Sequence, residues 1–387
     1  MSNKKKLCFI TTIQNTMDWF VLPNMENLAN NGYDITLVCT MDGQFQTKVS
    51  HYAKTYNLQM ERGKVGIFKM IRVILKLRKF FKKEKFDIVE YATPNASFYA
   101  SIAARLAGVK VRVYNQWGIR YVSAKGLGRF ILKRIEKITC HHSTVIRSPS
   151  NKNMEFGIKE RLYKRKKVKV LGIGGTIGVV ISEYDLNSKE TSRKAIFEKY
   201  NIPQGAFIYG FVGRLNKDKG VNELLLAFKE IKDENTHLIL VGMEDKVNPI
   251  QADLLEWAKQ SKRVVIVGQV PVNEVPSYLL SFDVLVHPTH REGFGKILQE
   301  AMAAQTAVIT TDIPGPSEVV EDDISGILVP AENVETLREK MIFLKNDDEK
   351  RLEIAKNGRI RAEKYFYREY MMNNYLIDVN ELTDNIK

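Results

Sequence analysis

Two series of short apolar runs, each separated by helix-like sequence, constrain this chain more than any other feature. The first comprises LCFIT (7–11), DITLVC (34–39), DIVEYA (87–92), VRVYN (111–115), STVI (143–146) and KVKVL (167–171). The second comprises FIYGFVG (207–213), THLILVG (236–242), RVVIVG (263–268), DVLVHP (283–288), TAVITT (306–311) and GILVP (326–330). Continuous Val/Ile/Leu runs alternating with helices predict parallel strands covered on both faces, hence an α/β chain with two doubly wound domains. The polar stretch SEYDLNSKETSRK (182–194) reads as the linker, and a cleft between the domains as the ligand site. After GILVP the pattern turns helical. The aromatic-rich segment KYFYREYMMNNYL (364–376) then has no strand of its own to cover and is expected to pack back across the first domain.

A length of 387 residues and 44% hydrophobic content suit two packed cores. Cys8, Cys39 and Cys140 are scattered and form no Cys-x-x-Cys pair, which suits a reducing, cytosolic setting rather than a disulfide framework or a zinc site. The apolar run after the basic start is too short for a signal-peptide core, and none approaches the roughly 18 residues of a membrane span.

The net charge of +14 is uneven: residues 1–170 carry 33 Lys/Arg against 11 Asp/Glu, whereas the remainder carries 26 against 34. Such asymmetry points to a polyanionic partner for the first half, nucleic acid or an anionic membrane surface. The most basic segment is KVGIFKMIRVILKLRKFFKKEKF (64–86). At helical spacing Lys69, Arg72, Lys76, Lys79 and Lys83 share one face, opposite Ile67, Ile71, Ile74 and Phe81, so one face should bury and the other contact membrane. A merely solvated helix face remains the alternative. RLYKRKKVK (161–169) adds to the basic surface.

The glycine cluster KVLGIGGTIGVV (169–180) misses the dinucleotide spacing, because Ile177 stands where the third glycine belongs, and β-branched residues follow instead of a helix. It reads as a close-approach loop or a structural turn. REGFGKILQEAMA (291–303) is more informative. Gly293 and Gly295 precede a helix on the carboxyl side of a strand, where unpaired N–H groups suit a diphosphate. Glu292 and Glu300 bracket that turn, as two sugar-holding carboxylates or as a capping charge and a solvated face. FVGRLNKDKGVNELLLAF (211–228) repeats the strand, glycine turn and helix, with Arg214 and Lys219 able to neutralise a diphosphate. There is no Asp-x-Asp motif, which favours these side chains over Mg²⁺.

GRLNKDKG (213–220), EGFGKILQE (292–300), TTDIPGPSEVV (310–320) and SGILVP (325–330), in this order, make the chain resemble the family-4 retaining glycosyltransferases of the GT-B fold, and among them those that build bacterial capsule or O-antigen units. The resemblance implies two Rossmann-like domains facing a central cleft. Residues 1–185 form an acceptor and membrane-facing domain, 186–365 a nucleotide-sugar donor domain, and 366–387 a helix returning to the first. It further implies that Arg214 and Lys219 bind the donor diphosphate, that backbone from Phe294 to Ile297 holds phosphate and sugar, that Glu300 binds the ribose, and that Glu292 contacts the sugar. Gly213, Gly293, Gly295 and Lys296 complete the donor set, the loop from Gly268 to Val270 meets a base expected to be uracil, and Glu292, Arg214 and Lys219 are the catalytic groups. No metal and no cofactor beyond the UDP-sugar co-substrate is implied, and the leaving phosphate assists front-face attack by the acceptor.

The chain departs from the family at TTIQNTMDW (11–19), where a Gly-Gly turn is common, and at NQWGIRY (115–121), where many members have histidine. Gln116 or Trp117 then contacts the sugar, or neither does. The crossover loop GIGGTIG also lacks the usual Asn and Asp. The expected activity is transfer of a sugar, possibly N-acetylated, from a UDP-sugar to a polyprenyl-diphosphate-linked saccharide by a cytoplasmic enzyme at the inner membrane face. A nucleotide-sugar epimerase or phosphorylase on the same architecture is the rival among enzymes. A basic nucleic-acid-binding protein is the rival outside them, without a recognised nucleic-acid motif.

Overall fold

Seven parallel strands form the first sheet: β1 (Lys6–Ile13), β2 (Asp34–Thr40), β3 (Ala53–Asn57), β4 (Ile88–Tyr91), β5 (Val111–Asn115), β6 (Val145–Arg147) and β7 (Val168–Lys169). Their order is β3-β2-β1-β4-β5-β6-β7, so the winding reverses between β1 and β4. The second sheet has β8 (Phe207–Val212), β9 (Thr236–Val241), β10 (Val264–Gly268), β11 (Val284–His287), β12 (Ala307–Thr311) and β13 (Ile327–Val329), ordered β10-β9-β8-β11-β12-β13 and reversing between β8 and β11. The computed structural model describes residues 4–61, 63, 65–246 and 248–384. Contacts divide it into one unit of Met1–Ile177 with Glu369–Lys387 and another of Gly178–Arg368.

The apolar runs make these sheets because both faces are covered. Leu7, Cys8, Phe9 and Ile10 of β1 alternate between two cores, one completed by Leu77, Phe81 and Tyr99, the other by Met17, Met25 and Val379. β3 escaped the sequence pattern because it is an edge strand. Ala53 is buried but Lys54 is exposed, so AKTYN carries no continuous apolar run. The stretch expected as a linker contains the start of the helix Lys189–Tyr200, whose Ile196 and Phe197 are buried, and the units divide upstream of it, between Ile177 and Gly178.

The last helix, Arg368–Asp384, supplies Tyr375 and Val379 to the first core. It also completes a buried polar network. Arg147, at the end of β6, donates to Glu90 Oε2 at 2.6 Å and to Asp378 Oδ2 at 2.7 Å. Tyr375 and Asn115 donate to the same Glu90 oxygen, and Lys169 pairs with Asp378. Charges this deeply buried are tolerated only when paired and hydrogen-bonded.

The helix Ile67–Glu84 corrects the expected burial. Phe81 is buried together with Leu77, but Ile67, Ile71, Phe68 and Leu75 are exposed, Phe68 at 84%. Lys69, Arg72, Lys76, Lys79 and Lys83 are exposed as expected, Lys69 pairing with Glu61 at 2.7 Å. In the second basic run, Lys167 turns back onto the carbonyls of Cys140 and His141, so it and Lys169 serve the fold. Among the described residues no helix is long and apolar enough to cross a membrane.

Removing the central cation of the buried network leaves Glu90 without a countercharge and Asp378 with Lys169 alone. Arg147→Met should therefore cost about 3–5 kcal/mol in urea unfolding, and a loss below about 1 kcal/mol would show that the network adds little.

Candidate functional site

The loops leaving the carboxyl ends of β8, β9, β11 and β12 are packed against one another, and glycines permit it. Gly220 (φ 69°) lets the turn before the helix Val221–Lys229 lie on the carbonyl of Pro288, where a Cβ would sit 1.9 Å from the oxygen. Gly315 (φ 100°) likewise lies under the carbonyls of Glu292 and Gly293. The reversal between β8 and β11 places two of these loops side by side, the position where open α/β sheets leave a ligand crevice.

Asp218 fixes that contact. Its carbonyl accepts from His290 N at 2.9 Å and Thr289 Oγ1 at 3.1 Å, and its carboxylate takes both Arg291 Nε and Nη2, at 3.2 and 2.8 Å. The next residue, Lys219, is thereby carried to Glu292, with which it forms a close ion pair across the two loops. Burial pushes the Glu292 carboxyl up, yet Lys219 first and then His287 outweigh it, so its pKa is lowered overall. Glu292 also accepts from Gly293 N at 3.2 Å. Beyond it, the N–H groups of Phe294, Gly295, Lys296 and Ile297 have no partner among the described residues as the helix Lys296–Ala303 begins. A run of free donors beside a lysine is an anion cradle.

The other sequence-derived residues fall around this centre. Gly213 and Arg214 follow β8, and Arg214 Nη1 donates to Asp245 Oδ2 at 2.9 Å while its side chain is 60% exposed. The two cations expected to neutralise a diphosphate are thus each paired with a different carboxylate. Glu300 pairs with Lys296 one helical turn earlier, and its charge contributes, after burial, to raising the pKa of the buried Tyr184 hydroxyl. Phe294 is buried edge-to-face on Phe366 at 5.9 Å, so it offers the cradle its backbone rather than its ring. Gly268 ends β10 at φ 81° and its carbonyl accepts from Gly242 N at 2.8 Å; with Val270 it lies at the far side of the sheet, three strands from β11.

In the first unit, Gln116 is fully buried, donating to Glu136 and accepting from Tyr163 at 2.9 Å, so it is unavailable to a sugar. Trp117 packs against Phe9 and Phe20. The sequence reading missed Asp218, Arg291, Asp245 and His287. Asp218 sits inside the motif GRLNKDKG, but its side-chain partners lie 30 to 73 residues away, and no local pattern announces such pairing.

Residues 6–150 match the family model described as "Glycosyl transferase 4-like", and residues 192–361 the one described as "Glycosyl transferases group 1". The Staphylococcus aureus protein "Capsular polysaccharide biosynthesis glycosyltransferase CapM" is 32% identical over 349 residues, covering 88% of each chain. The Escherichia coli "UDP-Gal:alpha-D-GlcNAc-diphosphoundecaprenol alpha-1,3-galactosyltransferase" is 25% identical, covering 84% of each. Among solved structures, that of Anabaena Alr3699/HepE in complex with UDP superposes with a TM-score of 0.77 at 17% identity, over 98% of this chain and 100% of the other.

His287 lies close enough to feel both Lys219 and Glu292, is stacked on Phe211 at 5.5 Å, and its buried Nδ1 has no hydrogen-bond partner among the described residues. Burial first, then Lys219, lowers its pKa to about 3. Because the unfolded chain would protonate it near pH 6.5, the stability it lends is full above that pH and is lost as pH falls toward 3. The melting temperature should decline over that interval, and His287→Asn should flatten the decline. An unchanged slope would remove His287 as its source.

Proposed function

The chain belongs to the group 1 glycosyltransferases of the GT-B fold, and from that premise we propose that it moves a sugar from a UDP-sugar to a lipid-linked saccharide during assembly of a bacterial surface polysaccharide. The observation that carries the donor half is the Lys219–Glu292 pair beside the free N–H run from Phe294 to Ile297, at the sheet's switch point. A diphosphate arriving there takes hydrogen bonds from those amides and attracts Lys219, while Arg214 supplies a second cation close by in sequence. In this reading Glu300, now paired with Lys296, accepts from a ribose diol, and the Gly268–Val270 loop meets the base. As the glycosidic bond breaks, charge grows on the departing UDP, and fixed amides and cations stabilise it without reorganisation. Retention follows if the leaving phosphate takes the acceptor proton on the same face. No metal or cofactor enters this scheme.

The acceptor half is supported by the relatives. One is named for a capsular polysaccharide and another for a diphosphoundecaprenol-linked sugar, and both are transferases rather than epimerases. A lipid-linked acceptor places the enzyme on the cytoplasmic face of the membrane. The helices Ile67–Glu84, Pro94–Ala107 and Gly126–His142 pack side by side, and the outer two expose Phe68, Ile71, Leu127 and Phe130 among lysines and arginines. Apolar side chains ringed by positive charge combine the two weak signals that peripheral attachment to an anionic leaflet requires.

Glu300→Ala should weaken UDP binding by about tenfold or more in calorimetry, and an unchanged isotherm would remove it from the ribose. Lys219→Ala should abolish transfer with the far-ultraviolet spectrum kept; retained turnover would take the lysine out of the site. Changing Lys69, Arg72, Lys76 and Lys79 to Glu should release the protein from anionic vesicles, and continued co-sedimentation would argue against attachment through this helix.

A further inference from the structure

The first sheet also reverses its winding, between β1 and β4, and a second cavity of about 310 Å³ opens at that point. Its lining includes Thr12 at the end of β1, Thr16 after it, Thr93 and Asn95 after β4, and Arg120 after β5. This volume is at the lower end of the roughly 300–1,000 Å³ of small-molecule sites. Among the described residues no carboxylate lines it, although Arg120 does. The guanidinium is exposed and makes no ion pair or hydrogen bond among the described residues, whereas Arg214, Lys219 and Lys296 are all paired. An unneutralised cation facing hydroxyls is the chemistry of an anion site.

The walls are held in place. Thr93 Oγ1 lies 2.8 Å from Thr12 Oγ1 and accepts from Thr12 N at 3.1 Å, which ties the two loops together. Thr93 sits at φ 68°, an unfavourable conformation for a β-branched residue, and this bond offsets part of its cost. Asn95 Nδ2 is occupied by the carbonyls of Glu61 and Gly63, so it anchors the rim. The chain continues from that rim into the helix that exposes Ile67, Phe68 and Ile71.

We propose that this cavity binds the diphosphate of a lipid diphosphate ester, with Arg120 as the charge partner and, as donors, the Thr16 hydroxyl and the one hydroxyl of the Thr12–Thr93 pair that does not donate to the other, while the lipid leaves across the exposed apolar start of the helix Ile67–Glu84. The inference deepens the acceptor half of the proposed function and rests on it for the identity of the ester. It assigns the headgroup to a site separate from the donor cradle.

The test uses the full chain with saturating UDP, titrated with farnesyl diphosphate in one arm and inorganic diphosphate in the other. Arg120→Ala should weaken farnesyl diphosphate binding roughly ten- to a hundredfold, and Arg120→Lys should recover part of it. UDP affinity should be the same in all three proteins, which also reports that the variants are folded. Equal farnesyl diphosphate affinity in wild type and Arg120→Ala, or no binding by wild type, would overturn the proposal. Inorganic diphosphate binding as tightly as farnesyl diphosphate would overturn its lipid half. A wild-type chain that binds farnesyl diphosphate through Arg120 but not UDP would instead sink the donor assignment and leave this cavity's role standing.

Discussion

The second unit depends on one residue, Asp218, gripping a loop that lies far away in sequence. Its carbonyl and carboxylate together hold residues 289–291, and only because of that grip does Lys219 meet Glu292. Two loops from neighbouring strands would otherwise carry a buried carboxylate and a lysine without a fixed relation. Glycines at 220 and 315 complete the arrangement by letting backbone lie on backbone. The site is therefore a property of tertiary packing expressed through side chains that each look unremarkable locally.

This explains what could be read from the sequence. The strands were legible because burial on both faces demands continuous apolar runs, and twelve of the thirteen follow that demand. β3 did not, since an edge strand pairs on one side and tolerates Lys54. The glycine turns at 213–220 and 292–295 were legible because backbone conformation is a local matter. The partners of Asp218 and Arg214 were not, because a countercharge 73 or 31 residues away leaves no spacing signal. Gln116 shows the converse error. A polar side chain following a strand looked available to a sugar, yet Glu136 and Tyr163 consume it in the interior.

Charge is distributed by the same logic. Arg214, Lys219 and Lys296 of the second unit's site are each paired with a carboxylate, which for the partly buried Lys219 and Lys296 avoids an unpaired charge. The first unit spends only a few of its surplus cations internally. Arg147 and Lys169 serve its core, while the stripe on Ile67–Glu84 remains in solvent beside exposed isoleucine and phenylalanine. Such a surface is costly for a freely diffusing protein and suited to one that works against an interface.

The helix Arg368–Asp384 has a consequence for biosynthesis. It belongs to the first unit, supplying Tyr375, Asp378 and Val379 to an interior otherwise built from residues before 178. All of Gly178–Arg368 must emerge from the ribosome before that interior can close. The later-encoded unit is thus free to mature first, and the earlier-encoded one waits, with Glu90 and Arg147 lacking their last partners, until the helix Arg368–Asp384 has been made.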